Sequence, residues 1–342
     1  MKINVWNTIL QLNKERGVET SVIIAAIEES LRVAAARHFT HQEEIRVDFR
    51  PEKGELRVYV TKTVAEEPVS DPASQIGLPE ARDLKPDARP GDSLEIDIPS
   101  DTLGRIAAQA AKQVILQKFR DAEQEKVYHQ FVPLVGEIVT GVVRRLDHQA
   151  VILDVLGSEV VLALREMIPG EDVRIGDKVK AVLLQVQRGP KGPQIYASRS
   201  HPKFLLKLLE IEVPEIGSGA ILIKDVVRQP GERAKAAVMT PEKDIDPVGA
   251  CIGVKGNRIL TISKELGGEK IDIIEWSDHP AIYAKAALSP AKVDRIVVLN
   301  REAKVLQALV AKDQLSLAIG KKGINVKLAS RLVGWKIEIK EN

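Results

Sequence analysis

The chain has 342 residues, 44% of them hydrophobic, 29% charged and 4% aromatic. This is an ordinary folded composition of two or three domains, and so few rings disfavour any mechanism that needs many stacked aromatics. A net charge of +2 hides an uneven distribution: residues 1–130 carry 18 Lys+Arg against 22 Asp+Glu, residues 201–342 carry 23 against 18, so the two ends suit different partners.

The opening "MKINVWNTILQLNKERG" has too short an apolar run for a secretory signal. No run of about 18 apolar residues is present, so no membrane span is expected. The lone Cys251 cannot form an internal disulfide, which suits a reducing, cytoplasmic setting. Residues 20–39 space Val22, Ile23, Ile27, Leu31 and Ala34 as a helix does. A β-hairpin is expected next, with Ile45, Val47 and Phe49 answered by Leu56, Val58 and Val60 across Pro-Glu-Lys-Gly. Residues 65–92 carry five prolines and read as a loop with room for one short helix, before a short strand "LEIDI". From Ser100 to Gln130 there is no proline, and a stalk helix of about 45 Å is expected at 1.5 Å per residue.

Pro133 ends that helix, and the pattern changes to period two. "GEIVTGVVRRL", "AVILDV", "EVVLAL", "KVKAVLLQVQ" and "PQIYASR" are five short strands, the pattern of a five-stranded OB-type barrel. Such barrels hold single-stranded nucleic acid with cations and rings. Here Arg144, Arg145, Arg188 and Lys191 supply charge, and Phe131 and Tyr196 are the only rings.

Beyond residue 200 the chain repeats itself. His201-Pro202 and His279-Pro280 each open a helix, two strand-like runs follow, and then "DPVGACIGVKGNRI" answers "DQLSLAIGKKGINV". Proline fits a first helical turn. Asp246 and Asp313 suit N-caps, and Gly253 and Gly320 suit helix ends. Gly256 and Gly323 let a second helix begin, and "GGEKIDII" or "GWKIEI" closes each unit as a strand. A decoy, "GPKG" at Gly189–Gly192, lies between two strands and reads as a hairpin turn. The short link Ser289–Lys292 suggests that the two units pack as one block with a continuous basic path.

The order helix, strand, strand, helix, Gly-x-x-Gly, helix, strand resembles the KH domain in its bacterial arrangement. In that family the loop clamps the backbone of about four nucleotides. Glycines allow close approach of backbone to phosphate, and the helix start behind the loop favours an anion. The resemblance makes Gly253, Val254, Lys255, Gly256, Asn257 and Arg258 candidate RNA contacts in the first unit. In the second they are Gly320, Lys321, Lys322, Gly323, Asn325, Lys327 and Arg331, with Arg144 and Arg145 added from the barrel. Ile252, Ile259, Ile319 and Val326 would floor the groove for bases.

With "HPKFL", "EVPEI", "GEKIDIIEWS", "ALSPAKV" and "LSLAIGKKG" added, the chain resembles the bacterial NusA family of transcription factors over essentially its whole length. The resemblance implies a multidomain α+β protein: residues 1–130 an α/β head with a stalk helix, 131–199 a barrel of the ribosomal S-one type, 200–276 and 277–342 two tandem KH domains. It implies a non-enzymatic, cytoplasmic, monomeric elongation factor that binds RNA polymerase, nascent single-stranded RNA and other elongation factors, and modulates pausing, termination and antitermination. No catalytic, cofactor or metal residues are expected, and no membrane partner. Ile324 stands where the family usually has Gln. Two other readings compete with this one. A nuclease or phosphorylase with RNA-binding appendages would need a catalytic core larger than residues 1–130, and the chain has no H-E-x-x-H, C-x-x-C or Walker motif. A ribosome-associated KH protein would not by itself explain the acidic head.

Overall fold

The computed structural model describes residues 6–38, 45–50, 52–53, 55–98 and 103–342. It divides into two compact units, Met1–Val127 and Tyr128–Asn342. The first contains α1 (Trp6–Arg16), α2 (Thr20–His38), β1 (Ile45–Arg50), β2 (Glu55–Ala65), β3 (Gln75–Gly77), α3 (Leu78–Leu84), β4 (Ser93–Asp97) and most of α4 (Leu103–Phe131). β2 is the common partner: β1 and β4 pair with it antiparallel, β3 parallel. The hairpin has the expected register, with Ile45 opposite Val60, Val47 opposite Val58 and Phe49 opposite Leu56.

The buried stripe of α2 is Ile23, Ile27, Leu31 and Ala35, a strict spacing of four that meets Ile9, Phe49, Ala111 and Ile115 or the β1–β2 face. Val22 sits about 100° round the helix from Ile23 and is exposed, so its place on the apolar face is corrected. Within 65–92 the short helix α3 forms, and the brief strand β3 is an addition to the sequence reading. α4 is about 44 Å long for its 29 residues; the expected start at Ser100 lies outside the described residues. It ends in the fully buried Phe131, followed by a tight turn carrying Pro133.

In the second unit β5 (Ile138–Leu146), β6 (Ala150–Val155), β7 (Ser158–Ala163), β8 (Lys178–Gly189) and β9 (Gly192–Ser198) close into a barrel in the order β5-β6-β7-β9-β8. The β7–β9 contact is its parallel pair. Alternate residues such as Val139, Leu153, Val160, Leu162, Ala181 and Leu183 are buried.

The repeat follows as two units of one plan. The first is α5 (Pro202–Glu212), α6 (Pro214–Gly217), β10 (Leu222–Gln229), β11 (Arg233–Met239), α7 (Pro247–Ile252), α8 (Asn257–Glu265) and β12 (Lys270–Glu275). The second is α9 (Pro280–Ala287), β13 (Arg295–Asn300), β14 (Val305–Val310), α10 (Leu315–Ile319), α11 (Ile324–Val333) and β15 (Lys336–Glu341). In each sheet the middle strand pairs antiparallel with the first and parallel with the last.

Alternation along β11 explains how the two units join. Ala234, Ala236 and Val238 face α5, α7 and α8, packing on Phe204, Leu205, Cys251 and Ile262. Ala237, with Val227 and Ile274, faces the other way and packs on Tyr283, Ala284, Leu328 and Ala329 of α9 and α11. The helices of the second unit therefore lie between the two sheets. Ile168 and Val182 carry the first unit's core into the barrel.

Three buried cations key these joints. Arg199 pairs with Glu171 at 2.6 Å and Glu265 at 2.9 Å. Arg228 and Glu269, both fully buried, pair at 2.8 Å, and Arg228 donates to the Arg199 carbonyl at 2.6 Å. Lys235 donates to Asp272 at 2.7 Å and to the Ser289 carbonyl, beyond the end of α9, at 2.8 Å. Ser289–Lys292 is not the link between units: it lies inside the second, between α9 and β13, and residues 276–279 make the covalent join. It reaches the first unit through Lys235 instead.

Candidate nucleic-acid interface

Each loop begins with a helix too short to persist on propensity alone. α7 has a cap: Asp246 Oδ1 accepts from the Val248 and Gly249 amides at 3.1 and 3.0 Å, with Pro247 first in the helix. Asp313 does not repeat this. A single tight turn, Lys312–Gln314, precedes α10, so Asp313 lies inside the turn and accepts from the Gln314 side chain at 3.0 Å. His201 Nδ1 accepts from the Lys203 amide at 3.1 Å, whereas the His279 side chain caps nothing.

From there the two loops share one backbone path. Gly253 has φ 76°, ψ 173° and Gly320 φ 75°, ψ 167°, a region essentially restricted to glycine. The third residue is a left-handed lysine in both, Lys255 at φ 52° and Lys322 at φ 54°. Gly256 and Gly323 follow in the left-handed region, and their amides close the turn on the Gly253 and Gly320 carbonyls at 3.0 Å. A left-handed non-glycine residue is disfavoured by about 1–3 kcal/mol, and the same lysine of both loops carries that strain. No side chain caps α8 or α11; the first amide of each, Asn257 and Ile324, donates to the Val254 and Lys321 carbonyls of the loop itself.

Val254, Lys255, Lys321 and Lys322 are exposed at the loop tips, and Asn257, Lys327 and Arg331 are exposed on the helices behind. Ile252 and Ile319 keep 39% and 38% of their surface in solvent, while Ile259 and Val326 are half-buried against the cores. Ile259 and Val326 therefore belong partly to the cores, whereas Ile252 and Ile319 stand at the surface. Leu260 and Leu317 are also exposed on α8 and α10, an apolar contribution that the sequence reading omitted.

Two expected contacts are placed elsewhere. Asn325 is buried, its Nδ2 donating to the Leu288, Leu317 and Ala318 carbonyls at 3.0–3.2 Å. Arg258 Nη1 donates to Glu215 at 2.9 Å and to the Ala250 carbonyl at 2.6 Å. In the barrel, Arg144 pairs with Asp154 at 2.8 Å and Arg145 with Asp147 at 2.8 Å, both side chains remaining over half exposed. Phe131 is fully buried and offers no ring to a base; Tyr196 is half-buried, donating to Gln194 at 2.8 Å. Arg188 stacks 4.1 Å over the Tyr128 ring. Gly189 pairs with Gly192 across a two-residue hairpin, so the decoy loop has strand, not helix, behind it. Burial pushes the Cys251 thiol up to about 11, the state of a small core hydrophobe. Among the described residues no carboxylate, histidine and cysteine group could hold a metal, and no helix is long and apolar enough to cross a membrane.

Three family profiles match: NusA N-terminal domain over residues 4–125, NusA-like first KH domain over 199–276 and NusA-like second KH domain over 280–342. The transcription termination/antitermination protein NusA of Halalkalibacterium halodurans is 44% identical over 340 residues, 99% of this chain and 88% of the relative. That of Bacillus subtilis is 43% identical over 340 residues, 99% of this chain and 91% of the relative. Among solved structures, the solution structure of the N-terminal domain of NusA from B. subtilis is 40% identical, covers 34% of this chain and 94% of that one, and has a TM-score of 0.32.

Proposed function

The chain belongs to the NusA family of transcription termination/antitermination proteins, and from that premise we propose that residues 1–130 bind RNA polymerase while residues 131–342 hold the nascent single-stranded RNA. In this reading the five-stranded barrel, residues 131–199, acts as an OB-type module. Residues 200–276 and 277–342 act as two KH modules. Together they modulate pausing, termination and antitermination, with other elongation factors as further partners. The family is one of transcription factors, and the chain binds RNA without processing it.

The observation that carries the reading is the pair of Gly-x-x-Gly loops with one backbone conformation. The helix N-termini behind them, free of any side-chain cap, and their exposed lysines complement phosphate twice over, and exposed apolar residues stand beside each for the bases. Gly253, Val254, Lys255, Gly256 and Asn257 hold one stretch of RNA. Gly320, Lys321, Lys322 and Gly323, with Lys327 and Arg331, hold the next. Arg144 and Arg145 add long-range attraction from the barrel.

Binding of a labelled single-stranded RNA at several salt concentrations tests this. With about five phosphates neutralised, the log–log slope should be roughly −3.5, about a hundredfold loss between 50 and 200 mM salt. A slope near zero, or preference for a duplex, contradicts it. The head is tested separately: residues 1–130 should capture RNA polymerase and leave RNA to residues 131–342. RNA binding by the head equal to that of residues 131–342 overturns the division.

A further inference from the structure

Arg258 and Asn325 hold the same place in the two repeats, each the second residue after its loop's second glycine. Both reach back to the short helix before the loop. Arg258 Nη1 donates to the Ala250 carbonyl at 2.6 Å, eight residues earlier. Asn325 Nδ2 donates to the Leu317 carbonyl at 3.1 Å, also eight residues earlier, and to Ala318 at 3.2 Å. Both also tie to the segment that follows the opening helix of their unit: Arg258 to Glu215 of α6 at 2.9 Å, Asn325 to the Leu288 carbonyl at the end of α9 at 3.0 Å. And both fill the space beneath the first glycine. A Cβ on Gly253 would lie 2.8 Å from Arg258 Cγ, and one on Gly320 would lie 2.7 Å from Asn325 Cβ.

We infer that Arg258 and Asn325 are positioning residues for RNA binding, which lock the helix before each Gly-x-x-Gly loop to the helix after it and do not themselves contact RNA. The inference rests on the reading of the loops as phosphate sites. The last carbonyls of a helix lack partners within it; these two side chains supply the donors and fix the gap that the loop must span. The loop backbone is left-handed at a lysine and a glycine, so without the lock it relaxes to other conformations. Apparent affinity then falls by the fraction of molecules that remain binding-competent. The repeats solve the problem with different chemistry. In the first the lock is ionic and open to solvent, with side-chain exposures of 26% for Arg258 and 34% for Glu215. In the second it is a neutral amide that is 1% exposed.

The experiment measures affinity of the full chain for a labelled single-stranded RNA across a salt series, with Arg258→Gln, Arg258→Lys, Glu215→Gln and, as a direct-contact control, Lys255→Ala. A phosphate contact that is lost lowers the salt slope by about 0.7 for single strands, and Lys255→Ala should do so. Arg258→Gln should weaken binding about five- to tenfold, through the fall in competent fraction, with the slope unchanged. Arg258→Lys, which keeps one donor for Glu215 or Ala250, should recover part of the loss. Glu215→Gln is the sharpest arm. Removing a negative charge near RNA favours binding on electrostatic grounds, yet loss of the lock predicts about two- to threefold weakening. A lowered slope in Arg258→Gln, or tighter binding by Glu215→Gln, overturns the inference. So does a fall in melting temperature with affinity intact, which is what a merely structural role gives. Should Arg258→Gln fail to fold, the Glu215→Gln arm decides. If wild type and Lys255→Ala bind alike with no salt dependence, the failure lies instead in the reading of the loops.

Discussion

The two glycines of each loop should differ sharply in how far they tolerate alanine. Gly256 and Gly323 need a left-handed backbone, but a Cβ on either meets nothing nearer than Lys327 Cε at 3.8 Å. Alanine there should cost only the left-handed penalty, about 1–2 kcal/mol. Gly320 and Gly253 occupy a backbone region closed to side chains, at about 1–3 kcal/mol, and a new Cβ also has no room. On Gly253 it would lie 2.5 Å from Asn257 Oδ1, an exposed side chain that can swing, and 2.8 Å from Arg258 Cγ, which can yield only by straining the bonds to Glu215 and Ala250. On Gly320 it would lie 2.8 Å from the Asn325 backbone nitrogen, inside the first turn of α11, which cannot. Overpacking of this kind adds about 1–3 kcal/mol. The order of destabilisation is therefore Gly320→Ala, then Gly253→Ala, then Gly256→Ala and Gly323→Ala together. At about 2–4 °C per kcal/mol for a unit of this size, Gly320→Ala should lower the melting temperature by about 10 °C and Gly323→Ala by about 4 °C. Thermal unfolding followed by circular dichroism reads both. Equal shifts at Gly320 and Gly323 would refute the close-packing argument and leave φ as the only constraint.

Burial lowers the Lys235 ammonium from 10.5 to about 8, against the pull of Asp272. Between those two pH values the unfolded chain binds more protons than the folded one, so stability should rise with pH, by on the order of 3 kcal/mol over the window. Chemical denaturation at pH 7.5 and pH 10 should show that gain in wild type and not in Lys235→Met; equal pH dependence in the two contradicts the assignment. Asp246→Ala removes a cap and should cost about 1 kcal/mol, whereas Asp313→Ala, capping no helix, should shift the melting temperature little. Glu269→Ala leaves the fully buried Arg228 without its carboxylate and should cost about 3–5 kcal/mol; a loss under 1 kcal/mol would mean that water enters the joint.

What was legible in the sequence followed from local signals. The hairpin register could be read from period-two alternation, because a one-residue slip would turn Ile45, Val47 and Phe49 outward. The loops could be read from glycine, whose backbone need is local. Four errors share the opposite cause. Asp313 matches Asp246 by alignment, but one added tight turn before α10 moves it off the cap, and nothing in the composition marks that turn. Arg258 and Asn325 stand among exposed loop residues in the sequence; only tertiary placement of Ala250, Glu215, Leu288 and Leu317 turns them inward. Ser289–Lys292 reads as a linker because it is short and carries proline, yet its partner, Lys235, lies over fifty residues away. Lys235 itself was invisible, since a lysine in an alternating strand reads as a solvated face until the second unit's helices are laid over it.

In the proposed function two specific loops, and not general positive charge, hold RNA. Three variants of the chain test it at one salt concentration: Val254→Asp with Lys255→Asp, Lys321→Asp with Lys322→Asp, and at the decoy hairpin Pro190→Asp with Lys191→Asp. The flanking glycines stay in each, and aspartate tolerates the left-handed position of Lys255 and Lys322. Local charge changes by about −3, −4 and −3 respectively, so simple repulsion would penalise the decoy as heavily as the first loop. Each of the first two variants should remain folded and bind single-stranded RNA at least about tenfold more weakly, whereas the decoy variant should lose about the effect of one surface cation. Equal losses at all three loops, or no loss at Lys255 and Lys322, would contradict it.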